Sequence, residues 1–459
     1  MKREEIRKMS EEAKDELILL LFAKIAELEA RLNQNSNNSS KPPSSDGLAK
    51  PTVNSLREKC AKKPGGQKGH KGSGLKILRE PDEIITVEPT ICADCGKSVE
   101  ESPMFQSDTR YVYDVNIEIK LKKYEIHETV CDCGSTVRGM PPTECRGTVN
   151  YGNAIRTLCV VLTHYGNVGI AKTHKILHDI LGVPISVGTI KNIQSQFAGK
   201  TDGTIAQIKR NLLESPTLNT DETGARVGGR TQWVHVASNS KYTLLSVHRK
   251  RGKEGSESGG ILGNYTGTLV HDFWKPYFGF DKCSHAVCCA HLLRELNALI
   301  EKGQKWAIDM KSLLLDMKNV VDTCKDNSKS ELSRYYREKF KARYDEILEA
   351  ARAEFPLSET RKKSKAESLL IRFEQYHAEI TRFTEDFDVP FDNNQAERDI
   401  RNVKVKQKVS GCFRTESGAD EFAKTASVIS SVVKTGKSVL GAIRSLFDGN
   451  NINLFLATE

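Results

Sequence analysis

Five β-rich runs between residues 216 and 296 constrain the fold of this 459-residue chain more than any other feature. They read, in chain order, PTLNTDETG, TQWVHVASN, YTLLSVHRK, GTLVHDFWKPY and SHAVCCAHLLREL. Turn residues separate the first three runs, and the last run begins like a buried strand and continues as a helix. Three antiparallel strands followed by alternating strands and helices predict a mixed α/β sheet.

A long charged segment interrupts this sheet pattern. Residues 292–385 read as helical throughout, as in LSRYYREKFKARYDEILEAARAEF, and the sheet domain resumes at Asp392. The pattern therefore predicts an α-helical insertion within an α/β domain.

Three acidic residues are candidates for one shared site. Asp221 is predicted at the end of the first strand, Asp272 at the end of the fourth, and Glu397 on a helix packed against the same sheet edge. Three carboxylates in one crevice repel each other unless cations hold them. Each aspartate, taken alone, also fits a solvated turn residue. Glu222 should point away from Asp221, because successive side chains of a strand alternate between faces.

Oxygen ligands of this kind suit Mg²⁺ or Mn²⁺. Two such ions about 3.5–4 Å apart can activate a water molecule and stabilise the leaving oxygen of a phosphodiester. Basic residues beside Glu397 can hold a DNA backbone next to the metals. These predicted DNA-binding residues are Arg398, Arg401, Lys404, Lys406 and Lys408. The residues before them are predicted to cap the helix: Asp392, Asn393 and Asn394.

The charge of the chain also points to nucleic acid. Its formal net charge is +9, and the excess of basic residues is concentrated in a few segments, which favours a polyanionic partner. One such segment is a glycine-rich arm, REKCAKKPGGQKGHKGSGLKILR, in which glycines allow close approach and lysines neutralise phosphates. A solvated basic linker is the alternative. The predicted DNA-binding lysines of the arm are Lys62, Lys63, Lys68 and Lys71.

Two cysteine pairs suggest a structural zinc site. They are Cys92-Ala-Asp-Cys95-Gly and Cys131-Asp-Cys133-Gly, with strand-like alternation between them at Tyr111–Ile119. Four thiolates bind zinc tetrahedrally, each following glycine permits a tight turn, and no position stays open for catalysis. The single residue between the cysteines of the second pair is unusual, so a reduced, metal-free hairpin is the alternative.

The N-terminal region carries a short heptad pattern. Its apolar positions alternate spacings of three and four and comprise Ile18, Leu21, Ile25, Leu28 and Leu32. A coiled-coil helix that forms a homodimer or higher oligomer fits this pattern, and an amphipathic helix docked on its own domain fits it as well. The following NQNSNNSSKPPSSDG is typical of a linker.

Residues 151–214 lack strand alternation and are predicted to be helical, with Ser186 as an N-cap. Helix, a short turn with Gly182 and Pro184, and helix again is the pattern of a helix-turn-helix, although any helical hairpin looks the same. HAVCCAH resembles a soft-metal site, but its cysteines fit a buried strand that leads into a helix better. The pattern leaves open whether His291 approaches the acids.

The composition bounds the setting of the protein. Hydrophobic residues make up 38% of the chain, and the longest apolar run, Leu17 to Ala23, is too short to span a membrane. The N-terminus has no apolar segment of a secretory signal, so a cytoplasmic, nucleoid-associated protein is expected. The twelve cysteines then fit free thiols and metal ligands better than disulfides.

Several motifs together resemble one family across essentially the whole chain. NSSKPPSSDG, KPGGQKGHKG, the two cysteine pairs, NTDETG and DNNQAER, in this order, are similar to bacterial transposases of the insertion sequence 66 family, the TnpC type. The resemblance implies an RNase H-like catalytic domain with an Asp, Asp, Glu triad that matches Asp221, Asp272 and Glu397. It also implies a DDE-type DNA transposase that cleaves element ends, transfers strands to target DNA, and works with possible accessory proteins.

Two other classes of function fit parts of the pattern. A catalytically inactive DNA-binding protein derived from a transposase would act as a repressor or architectural factor, and a structure-specific nuclease would cut without joining strands. The predicted segments are a coiled-coil helix at 1–32, a disordered linker at 33–56, a basic arm at 57–80, a zinc-binding β domain at 81–150, a helical region at 151–214, the catalytic domain at 215–291 and 391–459 with C-terminal helices, and its α-helical insertion at 292–390.

Overall fold

The computed structural model describes residues 9–35, 38, 77, 79–142, 145, 147–356 and 363–452. The chain divides into two units, Asn54–Lys123 and a larger one formed by Met1–Val53 together with Tyr124–Glu459. Outside the described residues lie most of the predicted linker and the four lysines of the predicted basic arm, Lys62, Lys63, Lys68 and Lys71.

The predicted N-terminal helix is present as α1 (Glu11–Leu32). The apolar side chains of its heptad pattern are between 47% and 83% exposed, so the helix does not bury them against its own domain. The described residues therefore do not cover this face, whose docking within the chain was the alternative that the sequence left open. The exposed positions are Ile18, Leu21, Ile25, Leu28 and Leu32.

The predicted strand at Tyr111–Ile119 is wrong. This segment, in the smaller unit, has no strand in the structure, and its alternating apolar side chains are exposed. Alternation produces a strand only where a neighbouring strand supplies hydrogen bonds and one face is buried. In the larger unit, a short hairpin forms instead, from β1 (Glu128–Val130) and β2 (Thr136–Arg138).

The region before the sheet is helical, as predicted. Ser186 caps one of its helices, because its side chain accepts a hydrogen bond from Thr189 N at 3.0 Å. Gly182 ends the preceding helix with a φ of 62°, a conformation that favours glycine. The helices are α2 (Asn153–Val160), which continues as a π-helix over Val161–Tyr165, α3 (Ile170–Leu181), α4 (Val187–Lys200) and α5 (Asp202–Leu213).

The five predicted β-rich runs form one five-stranded mixed sheet. Its strands are β3 (Thr217–Val227), β4 (Arg230–Ser238), β5 (Thr243–His248), β6 (Thr268–His271) and β7 (Ser284–Val287). They lie in the spatial order β5-β4-β3-β6-β7. The strands β3, β4 and β5 pair antiparallel, and β6 and β7 extend the sheet in parallel on the other side of β3. A short helix, α6 (Lys253–Glu257), lies between β5 and β6.

Helices follow the last strand, as the charged segment predicts. Their apolar faces form one hydrophobic cluster with Val270, Ala286 and Val287 of the parallel strands β6 and β7, which attaches the helices to the sheet. These helices are α7 (Cys289–Ile300), α8 (Lys305–Asp326), α9 (Arg334–Glu354), α10 (Lys365–Gln375) and α11 (His377–Glu385).

Three further helices return to the sheet: α12 (Asn394–Ser410), α13 (Glu416–Lys434) and α14 (Val439–Phe447). A second cluster joins α12 and α13 to the antiparallel strands through Val234, Val236 and Leu245. The third combines Leu218 and Leu269 with α2–α5 and α14. The central strand β3 therefore has packed elements around it and is held in a fixed position.

A buried ion pair joins α12 to α13. Lys434 Nζ lies 2.6 Å from Asp399 Oδ2, and the two side chains are only 12% and 6% exposed. Lys434 also donates to the carbonyl oxygens of Asn239 and Tyr242, in the connection between β4 and β5. Across the described part of the chain, no helix is both long and apolar enough to cross a bilayer.

This ion pair generates a stability prediction. Replacing Lys434 by Ala leaves the Asp399 carboxylate buried without its cation, which should cost about 3–5 kcal/mol and lower the urea midpoint markedly. The matched control is Lys424→Ala on the same helix, because Lys424 pairs with Asp202 at 44% and 67% exposure. That change should cost about 1 kcal/mol or less. Equal midpoints for the two variants would contradict the assignment.

Candidate active site

The parallel register of β3 and β6 brings two of the predicted acids to one place. Asn219 pairs with Val270, so two further residues along each chain lead to Asp221 and Asp272. Asp272 follows β6 directly, as predicted. The prediction that Asp221 ends its strand is wrong, because β3 continues to Val227 in antiparallel pairing with β4. What ends near Asp221 is the parallel pairing with β6 alone.

The third acid lies on the first turn of α12. Glu397 N donates to the Asn393 carbonyl oxygen at 3.3 Å, within the start of the helix. His291, on α7, places Nε2 3.9 Å from Glu397 Oε1. Its Nδ1 is buried and has no hydrogen-bond partner in the described structure. The position of His291, which the sequence left open, is therefore beside Glu397.

The charges of Asp272 and Glu397 both act on the Asp221 carboxyl group. The pKa of Asp221 is raised from 3.8 to about 8, first by burial, then by Glu222, and also by the charges of Asp272 and Glu397. Burial lowers the pKa of His291, while Glu397 and Asp272 oppose this shift. The charges of Asp272 and Glu397 thus act on the same two neighbours from the end of β6 and the start of α12.

The donor set fits a hard divalent cation in its chemistry. Burial raises the pKa of Asp221 most, the charges of neighbouring carboxylates add to the rise, and a cation bound there would offset both effects. Oxygen donors are the ligands that Mg²⁺ and Mn²⁺ prefer. Among the described residues, however, no group of three or more His, Cys, Asp or Glu is close enough to hold a metal ion. The acids lie within electrostatic range and not within ligand range.

Glu222, adjacent to Asp221, is engaged elsewhere. Its side chain is 2% exposed, pairs with Arg251 at 2.7 Å and accepts a hydrogen bond from the Tyr277 hydroxyl. The Arg251 guanidinium carbon lies 4.9 Å from the Trp233 ring centroid and 4.5 Å from that of Trp274. This arginine therefore joins β3 to the segment that follows Asp272.

The loop after β6 holds Asp272 by a local hydrogen bond. Trp274 N donates to Asp272 Oδ1 at 2.9 Å, which fixes one carboxylate oxygen against the backbone two residues later. Because Trp274 also stacks on Arg251, the orientation of Asp272 is linked to the ion pair of Glu222. Nothing in the sequence pattern indicated Arg251 or the two tryptophans; their roles depend on contacts between distant segments.

The polar residues at the start of α12 have different hydrogen-bond partners. Asp392 Oδ1 accepts a hydrogen bond from Asn394 N at 3.0 Å, as a capping residue does. The prediction that Asn393 caps the helix is wrong, because its side chain makes no capping bond. Asn393 Nδ2 instead donates to the Thr220 carbonyl oxygen at 2.7 Å, and Asn219 Nδ2 donates to Asn393 Oδ1 at 2.8 Å.

The predicted basic residues of α12 differ in exposure. Arg398, Arg401 and Lys408 are exposed. Lys404 Nζ donates to the Gly224 carbonyl oxygen at 2.9 Å, at the edge of the sheet. Lys406 is half-buried, and burial followed by the charge of Lys191 lowers its pKa. The exposed members therefore present positive charge to solvent, while Lys404 also fixes the helix to β3.

The cysteines of HAVCCAH are core residues, in agreement with the favoured prediction. Cys288 and Cys289 are fully buried, and burial raises the pKa of both thiols. Cys288 Sγ accepts a hydrogen bond from Asn393 N at 3.1 Å, and Cys289 Sγ donates to the Ile380 carbonyl oxygen at 3.5 Å. These contacts serve packing and leave no exposed thiol for a ligand.

The first of the two predicted zinc-binding cysteine pairs forms a tight turn. In the smaller unit, Gly96 has a φ of 71° and donates to the Cys92 carbonyl oxygen at 2.9 Å. Hydrogen bonds from the Cys95 backbone, the Asp94 backbone and then the Cys95 side chain lower the pKa of Cys92. A lowered thiol pKa favours the thiolate, which is the form that binds metals.

The second pair lies between β1 and β2 of the larger unit and forms a similar turn. Gly134 has a φ of 85° and donates to the Cys131 carbonyl oxygen at 2.7 Å. Hydrogen bonds from Ser135, the largest cause, and from Cys131 lower the pKa of Cys133 to about 7. The unusual spacing of this pair is therefore compatible with the glycine turn.

Comparison with known families identifies the class and then the family. Residues 148–421 match the transposase IS66 family, and this match spans more than half of the chain. The mixed sheet with its helices fits an α/β transposase. The chain belongs to the IS66 transposase family, which confirms the resemblance noted in the sequence. Residues 2–76 match a family of unknown function, DUF6444, and no curated protein matches the chain.

The raised pKa of Asp221 predicts a pH dependence in chelator. Between about pH 4 and pH 8, the folded protein keeps the Asp221 proton that the unfolded chain has lost. The free energy of unfolding therefore falls as pH rises, and the stabilisation by this proton is lost as pH rises through about 8. Asp221→Asn removes the titration. In urea unfolding, wild type should lose up to about 1.4 kcal/mol per pH unit relative to the variant between pH 5 and 7. Parallel pH curves would contradict the raised pKa.

Proposed function

We propose that this member of the family is an active, metal-dependent DDE-type transposase. It would bind the DNA ends of its insertion sequence, cleave a phosphodiester at each end and transfer the freed 3′-hydroxyl to target DNA. The observation that carries this proposal is the placement of the three acids by the fold: Asn219 and Val270 pair two residues before Asp221 and Asp272, and Glu397 lies on the first turn of α12, which packs on β3. It favours an active enzyme over an inactive DNA-binding relative.

The catalytic domain is proposed to be RNase H-like. Three antiparallel strands followed by two parallel ones, with the first strand at the centre, support this fold. The central strand then carries Asp221, and Asp272 directly follows the neighbouring parallel strand. Family membership supports the same fold, because the resemblance implies it.

The three carboxylates would hold Mg²⁺ or Mn²⁺. Such a cation supplies an activated water molecule and stabilises the leaving oxygen of a phosphodiester. The protein's own contribution is positioning and electrostatics: β3 fixes Asp221, the Trp274 amide fixes Asp272, and the first turn of α12 presents Glu397. His291, beside Glu397, would face the scissile phosphate.

DNA would run along α12 and the basic arm. Exposed Arg398, Arg401 and Lys408 lie on the helix that carries Glu397, so phosphates held there would lie beside the acids. Lys404 and Lys406 would add to the local positive potential. The four lysines of the arm at 57–80 would also neutralise phosphates of the DNA.

The proposal also includes a dimer helix at the N-terminus and a structural zinc site. The exposed apolar heptad positions of α1 would pair with a second copy of the chain in a homodimer or higher oligomer. The zinc proposal comes from the sequence pattern of the two cysteine pairs, Cys92 with Cys95 and Cys131 with Cys133. Within each pair, a glycine turn and a lowered thiol pKa, that of Cys92 or Cys133, favour the thiolate form that binds metal.

Amide substitutions test the proposed triad. Asp221→Asn, Asp272→Asn and Glu397→Gln should each lower Mg²⁺-dependent cleavage of end DNA by a factor of about 10³ or more, because each removes a charged oxygen ligand. End binding, measured by gel shift, should persist. Asp281→Asn, an exposed aspartate between β6 and β7, is the control and should cleave normally. Full cleavage by the Glu397→Gln protein would refute the triad.

Elemental analysis of purified protein tests the zinc proposal. Wild type should contain about one zinc ion per chain, and Cys92→Ser and Cys131→Ser should each remove most of it, because a structural site needs all four ligands. Cys412→Ser, at an exposed cysteine elsewhere, should leave zinc unchanged. Zinc content unaffected by either of the first two changes would exclude this ligand set.

A further inference from the structure

Asn393 lies where the elements that carry the three acids meet. Its side chain is 2% exposed, and both polar ends are used: Nδ2 donates to the Thr220 carbonyl oxygen and Oδ1 accepts from Asn219 Nδ2. Thr220 immediately precedes Asp221 on β3. Glu397 follows Asn393 by one helical turn, and its amide donates to the Asn393 carbonyl oxygen. Asn393 thus connects β3, which carries Asp221, to α12, which carries Glu397.

The backbone of Asn393 is also linked by hydrogen bonds to β6, the strand that precedes Asp272. Asn393 N donates to Cys288 Sγ at 3.1 Å, and Cys288 N donates to the His271 carbonyl oxygen at 2.8 Å. His271 immediately precedes Asp272. The chain of bonds therefore runs from the residue before Asp221, through Asn393, to the residue before Asp272.

Asparagine is suited to this position for a chemical reason. Its amide has one donor end and one acceptor end, so it satisfies a backbone carbonyl and a side-chain amide together without adding charge. A carboxylate would meet the Thr220 carbonyl oxygen with a second acceptor and would add negative charge beside the three acids. A helix cap, in contrast, needs only an acceptor, and the Asn393 side chain makes no such bond.

We infer that Asn393 is a positioning residue that sets the distance of Glu397 from Asp221 and thereby the affinity of the site for divalent cations. This inference rests on the proposed function. Asn219 acts in the same unit, because it holds the Asn393 amide in the orientation that points Nδ2 at Thr220. Neither side chain touches the reacting atoms.

The test measures Mn²⁺ binding by calorimetry, in full-length protein without DNA. Asn393→Ala should weaken Mn²⁺ binding about 10–100-fold, the usual loss when a residue that orients a metal ligand is removed. Asn219→Ala should weaken it less, since the Asn393 bond to Thr220 is still possible. The double variant should bind no worse than Asn393→Ala, because the two residues work through one contact. End cleavage should fall in parallel, while the Kd for end DNA stays within twofold.

The control is Asn402→Ala, a half-buried asparagine further along the same helix, which should bind Mn²⁺ like wild type. Should Asn393→Ala fail to fold by circular dichroism, Asn219→Ala provides the same comparison. Wild-type Mn²⁺ affinity in both variants, or an equal loss in Asn402→Ala, overturns this inference alone. If Asp221→Asn binds Mn²⁺ as well as wild type does, the proposed function and this inference fall together.

Discussion

Burial of a carboxylate beside other acids is the physical constraint that dominates the candidate site. In the central strand, burial first and then the charges of Glu222, Asp272 and Glu397 raise the pKa of Asp221 to about 8. Such an arrangement costs free energy, so the surrounding structure must hold it by other contacts. The parallel pairing of β3 with β6, the hydrophobic clusters on the sheet and the buried pair of Lys434 provide them.

Near the acids, neutral hydrogen bonds and aromatic contacts fix the positions of the strands and helices. Asn393 joins β3 to α12 without charge, and Arg251 neutralises Glu222 while lying between Trp233 and Trp274. Glu222 is thus paired with Arg251, whereas Asp221, Asp272 and Glu397 are the three carboxylates proposed to share a cation. The chain belongs to the IS66 transposase family, and the proposed role of these acids rests on that membership.

The sequence predicted the elements better than their edges. The five β-rich runs became five strands, since each combines apolar residues with turn signals. The sequence predicted that the first strand ends at Asp221, yet β3 continues to Val227, because its pairing with β4 extends beyond its pairing with β6. Tyr111–Ile119 alternates like a strand but lacks a partner. Asn393 read as a cap because its partners, Asn219 and Thr220, are more than 170 residues away.

The position of a bound divalent ion would test directly whether the three acids form one metal site. A crystal grown with Mn²⁺ and measured at the manganese absorption edge would locate it by anomalous scattering. The account predicts a peak about 2.0–2.3 Å from carboxylate oxygens of Asp221, Asp272 and Glu397. A peak bound by other residues, with these three side chains unchanged and apart, would contradict it.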